Sequence, residues 1–302
     1  MSAASGFPAA TATVGSGYRP LTTRLLHLLL FAAMLGSPFV FIEPSPYEVF
    51  VGLLAIGALV AGVTVDRKAM PLLFLLLIWN VSGLVALVPV IYDRRVSGGL
   101  IGHLAGAING RAVARGTSFL KDKMGEKIFA DGLRILDNPH RKRGLGSRPF
   151  DAEGLATKRL AVIDDGRLTT WLLDLAAARQ LKLKPTGHAT RGTSGPPSPT
   201  TSNFYLEKGK LSVEELIADI KSGLFITDLI GFGINGVTGD YSRGASGFWI
   251  ENGKLAWPVS GITVAGNLKD MFLNMTPAND LQFKGATNAP TVRIEGMTVA
   301  GS

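Results

Sequence analysis

Cysteine is absent from the 302 residues of this sequence. Disulfide bonds, thiolate nucleophiles and cysteine-ligated zinc or iron–sulfur sites are therefore excluded. Histidine is scarce as well, and its four copies are scattered along the chain at His27, His103, His140 and His188. A zinc peptidase needs two histidines on one face of a helix and a glutamate that activates the metal-bound water. Since no pair has that spacing, the sequence predicts no metal, no cofactor and no catalytic residue of its own.

Charge is nearly absent from the first part of the chain. Only four basic and four acidic residues precede Arg94, so the formal net charge of +8 arises entirely after Asp93. Uncharged runs extend over 25–42, 49–65 and 71–92. Because about 20 apolar residues cross a hydrocarbon core of roughly 30 Å, these runs predict three transmembrane spans within residues 24–93. A cleavable signal peptide explains only the first run, and runs of this length that are apolar all round seldom occur as core helices of a small soluble domain.

The flanking residues predict an orientation for these spans. Residues 1–23, rich in Ala, Gly, Ser, Thr and Pro, are predicted to form a flexible tail. The Arg19/Arg24 pair precedes the first run and the Arg67/Lys68 pair follows the second, which places both in the cytoplasm by the positive-inside rule. We therefore expect the chain to be located in a bacterial inner membrane. A third full span would place the remainder of the chain outside.

Two short patterns in the apolar segment suggest a relationship. The first predicted outer loop contains P-x-P-Y-E-V, and the third run contains I-W-N-V-S-G-L. Over residues 24–93 the sequence resembles the start of the O-antigen ligase and polymerase type of polysaccharide membrane protein. The large periplasmic loop of those proteins is absent, so the resemblance implies no glycan chemistry here.

After Arg95 the sequence alternates helical and strand patterns. We expect helices over Gly98–Ala114, Ser118–Ile135 and Trp171–Leu181, and a further helix opened by a capping box at Ser212 and Glu215. Two hairpins are predicted because Asp165-Gly166 and Asn252-Gly253 each separate two apolar runs, and Asx-Gly pairs supply the positive φ angles of a tight turn. With strands around Phe225, Ile262 and Val292, these elements predict an α+β, mainly antiparallel domain over residues 95–302.

Glycine-rich segments are the candidate binding surfaces. Gly231 to Gly236 matches G-x-G-x-x-G, but a dinucleotide site needs a helix on the last glycine, and the sequence up to Gly247 is too rich in glycine for one. We therefore expect a loop on which an extended peptide can lie. The scattered basic residues favour a general basic surface over a nucleic-acid footprint, so no direct nucleic-acid binding is expected. His188 with Ser194 or Ser242 could be imagined as base and nucleophile, but no G-x-S-x-G elbow is present.

Six motifs, in order, carry a second resemblance. They are A-R-G-T-S-F-L at 114–120, G-S-R-P-F-D-A-E-G at 146–154, T-G-H-A-T-R-G at 186–192, G-I-N-G-V-T-G-D-Y-S-R-G-A-S-G-F-W-I-E-N-G at 233–253, P-V-S-G-I-T-V-A-G-N-L-K-D-M-F at 258–272 and R-I-E-G-M-T-V-A-G at 293–301. With them, the chain after Arg95 closely resembles the C-terminal part of the TldE (PmbA) subunits of the TldD/TldE peptidase family, also called modulators of DNA gyrase.

The resemblance implies a partnership. TldD subunits ligate zinc through H-E-x-x-x-H on a helix, whereas the corresponding segment here, Gly98–Gly110, has one histidine, His103, and no glutamate. The implied role is the non-catalytic half of a heterodimer that degrades peptides or unfolded proteins, with zinc in a TldD-like partner. The soluble relatives are cytoplasmic. The residues expected to face the substrate are Thr186, Gly187, His188, Gly233, Asn235, Gly236, Gly239, Asp240, Gly244 and Gly247.

The chain also departs from the family pattern. TldE proteins begin with a soluble α/β domain, in whose place this sequence has residues 24–93. Since the resemblance starts abruptly near Arg95, the sequence predicts a domain without its first strands and a junction between unrelated genes at Asp93–Arg95. Two other functions stay open: a membrane polysaccharide-assembly fragment fused to a non-functional tail, and an independent peptidase with an unrecognised site.

Overall fold

The computed structural model of the protein describes residues 86–300. Every described residue belongs to one compact unit, Val85–Ser302. The predicted tail 1–23, the predicted spans 25–42 and 49–65, and the first part of the third predicted span lie outside the described residues.

Within this range the helices are short and the strands are numerous. The helices are α1 (Arg94–Ala107), α2 (Gly110–Ala114), α3 (Leu175–Leu181), α4 (Val213–Ile217) and α5 (Leu268–Leu273). The strands are β1 (Ala86–Tyr92), β2 (Ile135–Asp137), β3 (Leu160–Asp164), β4 (Arg167–Leu168), β5 (Ala189–Thr190), β6 (Ser198–Pro199), β7 (Phe204–Leu206), β8 (Ser222–Ile230), β9 (Asp240–Glu251), β10 (Lys254–Asn267), β11 (Met275–Pro277), β12 (Thr287–Asn288) and β13 (Val292–Ala300). The predicted strand-rich α+β class is confirmed.

The larger sheet is closed on itself through β1. Its strands follow the order β1-β8-β9-β10-β13-β11, and β1 also pairs with β13. Ile91 of β1 lies opposite Phe225 in the parallel pairing with β8 and opposite Arg293 in the antiparallel pairing with β13. The register of β1 shifts between Val88 and Val90, where Pro89 lies, because proline has no N–H to donate to a ladder. Strand β1 is therefore a central strand that is paired along both edges.

The position of β1 corrects two predictions. The third span, predicted over 71–92, is wrong over its last seven residues, which form β1. Val90, Ile91 and Tyr92 are fully buried, and a central strand that is buried on both faces has the same continuous apolar composition as a membrane span. The domain therefore includes residues before Arg95, and the expected loss of its first strands at Asp93–Arg95 is wrong. Among residues 86–300, no helix combines the length and apolar character needed to cross a membrane.

A second sheet and helix α1 complete the core. The smaller sheet has the order β12-β7-β2-β3-β4 and is antiparallel except between β7 and β12. Helix α1 lies between the sheets, touching β1 and β8 of one and β7 and β12 of the other. It buries Leu100, Ile101 and Leu104 there. The Asp93 side chain accepts a hydrogen bond from Arg95 N and so caps the helix at the end of β1. Asp93 is thus the turn between two packed elements rather than a boundary.

Several local predictions are confirmed. Asp165-Gly166 connects β3 to β4, and Asn252-Gly253 connects β9 to β10, with positive φ angles at all four turn residues. Ser212 and Glu215 form the expected capping box at the start of α4. The helix expected over Gly98–Ala114 is present but interrupted, since α1 ends at Ala107 with Ile108 as its C-cap, and the Asn109 side chain caps the start of α2.

The helix expected over Ser118–Ile135 is wrong. Residues 118–134 form successive turns, and only the last residue of the range enters a strand, β2. Phe119, Leu120 and Phe129 are buried although they do not lie in a helix. The amphipathic pattern of this segment therefore arises from separate buried residues of a loop and not from one face of a helix. The helix expected from Trp171 begins at Leu175 instead, because Asp174 accepts a hydrogen bond from Ala177 N and acts as its N-cap.

Candidate functional site

The candidate site is a cluster of aromatic and polar side chains between α1 and β9. Tyr241 and Arg243 are two residues apart on β9, so their side chains lie on the same face of the strand, and the exposed Ser242 lies on the other. His103 approaches from α1, with its ring centroid 6.1 Å from that of Tyr241 in an edge arrangement. Tyr92 of β1 also packs edge-on against Tyr241. We call these four residues, Tyr92, His103, Tyr241 and Arg243, the His103 cluster.

Three polar atoms of this cluster, His103 Nε2, Tyr241 Oη and Arg243 Nε, are buried and form no hydrogen bond of normal geometry among the described residues. The Tyr241 hydroxyl is nevertheless close enough to Tyr92 and Arg243 for both to act on its pKa. Buried polar groups are nearly always paired, because an unpaired one costs about 1–3 kcal/mol. The Tyr92 hydroxyl differs, since it lies 3.5 Å from Met297 Sδ. The concentration of unpaired atoms on one face of β9 makes this cluster the strongest candidate for a ligand site in residues 86–300.

The cluster carries a single charge. Burial raises the pKa of Tyr241, and burial together with the neighbouring Tyr241 raises the pKa of Tyr92 well above its ordinary value. Burial, and then the positive charge of Arg243, lower the pKa of His103. At neutral pH the two phenols and the imidazole are therefore uncharged. The guanidinium of Arg243 gives the cluster a net positive charge.

A zinc ion does not fit the His103 cluster. Structural and catalytic zinc sites take three or four ligands from histidine, cysteine or carboxylate side chains. The cluster offers one imidazole, two neutral phenols and a guanidinium that would repel a second cation. Within residues 86–300 there is also no group of three or more His, Asp or Glu side chains that could hold a metal ion.

The glycine loop, residues Gly231–Gly239, leads directly into β9. Its backbone is fixed to the neighbouring segments, because Ser242 N donates to Gly233 O and Phe119 N donates to Gly236 O. Ile234 also forms an isolated bridge with Tyr241. The loop therefore lies beside the first residues of the strand that carries Tyr241 and Arg243. No helix opens on its last glycine, since Asp240 begins β9.

The polar residues of this segment that were predicted to face a substrate use their side chains in hydrogen bonds within the protein. The Asn235 side chain accepts a hydrogen bond from Val237 N, and Asp240 accepts one from Asn267 Nδ2 at 3.0 Å. Both residues are exposed, and the loop also carries Phe232, whose surface is 97% accessible, and the exposed Val237. The loop thus combines a fixed backbone with exposed apolar side chains.

The glycines of this region fall into two groups. A Cβ at Gly233 would clash with the carbonyl oxygen of Ser242, and a Cβ at Gly247 would clash with that of Phe225. Gly239 has a φ of 91°, which disfavours any other residue. By contrast, the nearest atom to a Cβ at Gly236 would be Thr117 O at 3.8 Å, and Gly244 has similar room. The fold itself therefore requires glycine at Gly233, Gly239 and Gly247. It does not account for the presence of glycine at Gly236 and Gly244.

The other predicted site segment, Thr186–Gly192, lies in a separate network. His188 is buried, with Nδ1 2.8 Å from Thr186 Oγ1 and Nε2 3.0 Å from Asp137 Oδ2. Gly187 supplies a positive φ of 74° between them. The Asp137 carboxylate also accepts hydrogen bonds from Ser202 N and Ser202 Oγ, both at 2.7 Å. Both ring nitrogens of His188 are therefore occupied inside the protein, and the imidazole is not presented to a substrate in this structure.

This network is not a serine-protease triad. Its serine hydroxyl donates to the carboxylate and not to the imidazole, so the histidine has no nucleophile to deprotonate. The ring nitrogens of His188 contact neither Ser194 nor Ser242. The network instead joins the end of β2 to the segments around Thr186 and Ser202.

Tyr92, Tyr241 and Arg243 were not among the predicted site residues. The available signal was the alternation in G-D-Y-S-R-G, which puts a tyrosine and an arginine on one face of a strand. The glycines on both sides of this motif favour a loop instead. Tyr92 lies in an apolar run whose composition predicts a membrane span.

Comparisons with known proteins agree with this fold. The family described as "PmbA/TldA metallopeptidase C-terminal domain" matches residues 86–301. The chain therefore belongs to the PmbA/TldD metallopeptidase family. The match begins at β1, in agreement with the sheet pairing. Residues 86–93 of the segment that resembles O-antigen ligases therefore belong to this family's domain, and the resemblance of the preceding residues stays a prediction.

Relatives of known sequence or structure cover the same part of the chain. Metalloprotease PmbA of Escherichia coli O157:H7 is 45% identical over 214 residues, which are 70% of this chain and 46% of that protein. The crystal structure of a candidate modulator of DNA gyrase from Bacteroides thetaiotaomicron has a TM-score of 0.65 and 33% identity, covering 72% of this chain and 48% of that one. TldE from Thermococcus kodakarensis has a TM-score of 0.66 and 25% identity, covering 72% and 51%. The chain thus spans about half the length of these relatives.

Proposed function

We propose that this chain is the non-zinc-binding partner of a TldD-like subunit in a TldD/TldE-type metallopeptidase that degrades peptides or unfolded proteins. The observation that carries the proposal is the composition of the His103 cluster, in which the His103 ring centroid lies 6.1 Å from that of Tyr241 and Arg243 follows on the same face of β9. Burial, and then the charge of Arg243, lower the pKa of His103, and the same charge opposes a metal cation beside the imidazole. In the proposed heterodimer the partner supplies zinc and its activated water, and this chain supplies a surface that holds the substrate.

Two further points support this role. The family is that of metallopeptidases, and one structural neighbour is a TldE protein. The glycine loop offers fixed backbone groups and the exposed side chains of Phe232 and Val237, which suit an extended peptide better than a small polar ligand.

The test is co-purification of the full chain with a TldD-type protein from the same genome. We expect a complex of the two that hydrolyses a denatured protein such as casein, loses this activity with a chelator and regains it with zinc. The chain alone should bind no stoichiometric zinc and hydrolyse nothing. Failure to associate with any TldD-type protein would refute the proposal. Hydrolysis by the chain alone that survives a chelator would instead support an independent peptidase with an unrecognised site.

The membrane location also stays a proposal. We propose that residues 24–85 anchor the protein in a bacterial inner membrane, on the strength of their uncharged runs. Resistance of the full chain to extraction from membranes by alkaline carbonate is the expected result. A deletion that changes surface polysaccharide, without any effect on peptide degradation, would favour the polysaccharide-assembly alternative.

A further inference from the structure

We propose that His103, Tyr241 and Arg243 form a binding site for a carboxylate, and that its ligand is the C-terminal carboxylate of a peptide. The peptide part of this inference rests on the proposed function. The carboxylate site itself does not, because it follows from the donors that the chain brings together.

The unpaired atoms of the site are suited to an oxyanion. Arg243 Nε–H and the Tyr241 hydroxyl are donors, and His103 Nε2 is a donor in the tautomer that carries its proton on this nitrogen. All three are buried, and none forms a hydrogen bond of normal geometry among the described residues, although Tyr92 and Arg243 lie close to the Tyr241 hydroxyl. A carboxylate would satisfy them together, since arginine binds its two oxygens through parallel N–H groups and a phenol adds a third hydrogen bond.

The charge of the site points to the same class of ligand. No salt bridge to Arg243 is formed by any acidic residue in the described part of the chain. One guanidinium beside neutral phenol and imidazole groups matches a ligand with one negative charge. A phosphate dianion would leave about one charge uncompensated in a largely buried position, which is costly.

The position of the site defines how a ligand can enter it and how a bound peptide can be oriented. His103 and Arg243 are only partly buried, whereas Tyr241 is 2% exposed. The cluster therefore has an inner end at the tyrosine and an outer end at the histidine and arginine. The glycine loop lies beside the same strand, through the bridge between Ile234 and Tyr241. A peptide whose carboxylate is held by Arg243 can extend along this loop.

Ordered water is the competing explanation for the unpaired atoms. A buried water would satisfy them without selecting for charge. A ligand that differs only in its terminal group separates these explanations, because a neutral amide removes the negative charge and keeps the size of the peptide.

The experiment is a calorimetric titration of the full chain, without any partner, with three probes: N-acetyl-glycyl-glycine, its C-terminal amide and inorganic phosphate. We expect saturable binding of the free acid, at least about tenfold weaker binding of the amide, and phosphate weaker than the acid. Arg243→Gln should weaken binding of the acid by about tenfold or more, and Tyr241→Phe by about three- to tenfold. Arg179→Gln removes the same charge from an exposed position on α3 and should leave binding unchanged.

Proton chemical shifts give a second measurement that does not depend on affinity. The side-chain resonances of His103, assigned by comparison with His103→Gln, should move with the free acid and not with the amide. Equal binding of acid and amide, no saturable binding, or tighter binding of phosphate would each overturn the proposal. Because no TldD-type partner is present, such a failure is distinct from a failure of heterodimer formation.

Discussion

Tyr92 of β1 and Tyr241 of β9 meet edge to face in the core, with their ring centroids 6.5 Å apart and their planes at 71°. Strand β8 lies between their two strands in the larger sheet, so the contact is made on the inner face by side chains that reach past β8. Aromatic pairs of this geometry contribute about 0.5–1.5 kcal/mol beyond the area that they bury. The contact thus ties the first described strand to the strand of the candidate site.

Replacing Tyr92 tests whether β1 is an integral part of the domain. Tyr92→Ala leaves a large cavity at a fully buried position, and we expect it to lower the free energy of unfolding by about 3–5 kcal/mol. Urea denaturation followed by tryptophan fluorescence measures this change. Leu87→Ala is the matched control on the same strand, because Leu87 is 71% exposed and its loss should cost less than about 0.5 kcal/mol. Equal effects of the two substitutions would mean that β1 does not belong to the folded domain.

The sequence predicted those elements that depend on short-range signals. The two Asx-Gly hairpins and the Ser212 capping box need only a few neighbouring residues to form, and all three are confirmed. The placement of β1 depends on partners far along the chain, Phe225 and Arg293. Its apolar composition alone cannot distinguish a central strand from a membrane span.

The candidate site was harder to predict for the same reason. His103 and Tyr241 are far apart in sequence and meet only because α1 packs against the closed sheet. The glycine loop was visible as a motif, but Gly233 is explained by close backbone approach and Gly239 by its positive φ angle. Thr186 and His188 were predicted to face a substrate, yet their polar atoms contact each other and Asp137. A conspicuous motif therefore marked a structural requirement as often as a candidate binding group.

The Asp137 network predicts a strong dependence of the fold on one carboxylate. Asp137 is 1% exposed and accepts hydrogen bonds from His188 and from two groups of Ser202. Asp137→Ala would leave these donors unpaired, and we expect a loss of about 3–5 kcal/mol in the free energy of unfolding. Asp122→Ala removes an exposed carboxylate and should change it by less than about 0.5 kcal/mol.

Hydrogen exchange adds a local measurement for the same variant. Amide protons of residues 186–202 should exchange faster in Asp137→Ala, because the network anchors both ends of this segment. Unchanged exchange there, with a loss of stability elsewhere, would contradict the anchoring role.

The two groups of glycines predict opposite results for alanine substitutions. Gly233→Ala places a methyl group against the Ser242 carbonyl and should lower the midpoint of urea unfolding by destabilising the turn. Gly236→Ala has room for its methyl group and should leave the midpoint unchanged. If a peptide backbone lies on the glycine loop, the same methyl group should weaken peptide binding or slow casein degradation by the proposed complex. Normal binding and activity in Gly236→Ala would exclude close approach of a substrate at that position.

His103 predicts a specific dependence of stability on pH. Because its pKa is lowered in the folded protein by burial and by Arg243, the unfolded chain takes up a proton at a higher pH than the folded one. Proton uptake by the unfolded state then favours unfolding as the pH falls through about 6.5, the ordinary value for histidine. We expect the unfolding free energy of the wild type to decrease relative to that of His103→Gln between pH 7.5 and pH 5, when both are measured by urea denaturation.

A second variant separates the two causes of this effect. Arg243→Gln removes the positive charge and leaves His103 partly buried, so the dependence on pH should become weaker but not vanish. His140→Gln changes a histidine outside the cluster and serves as the control. Removing His103 from this variant should alter the pH dependence of its unfolding free energy by the same amount as in the wild type. A constant difference between the wild type and His103→Gln over this range would contradict the lowered pKa. It would also remove the main electrostatic argument against a metal cation beside His103, because that argument requires Arg243 to act on the imidazole.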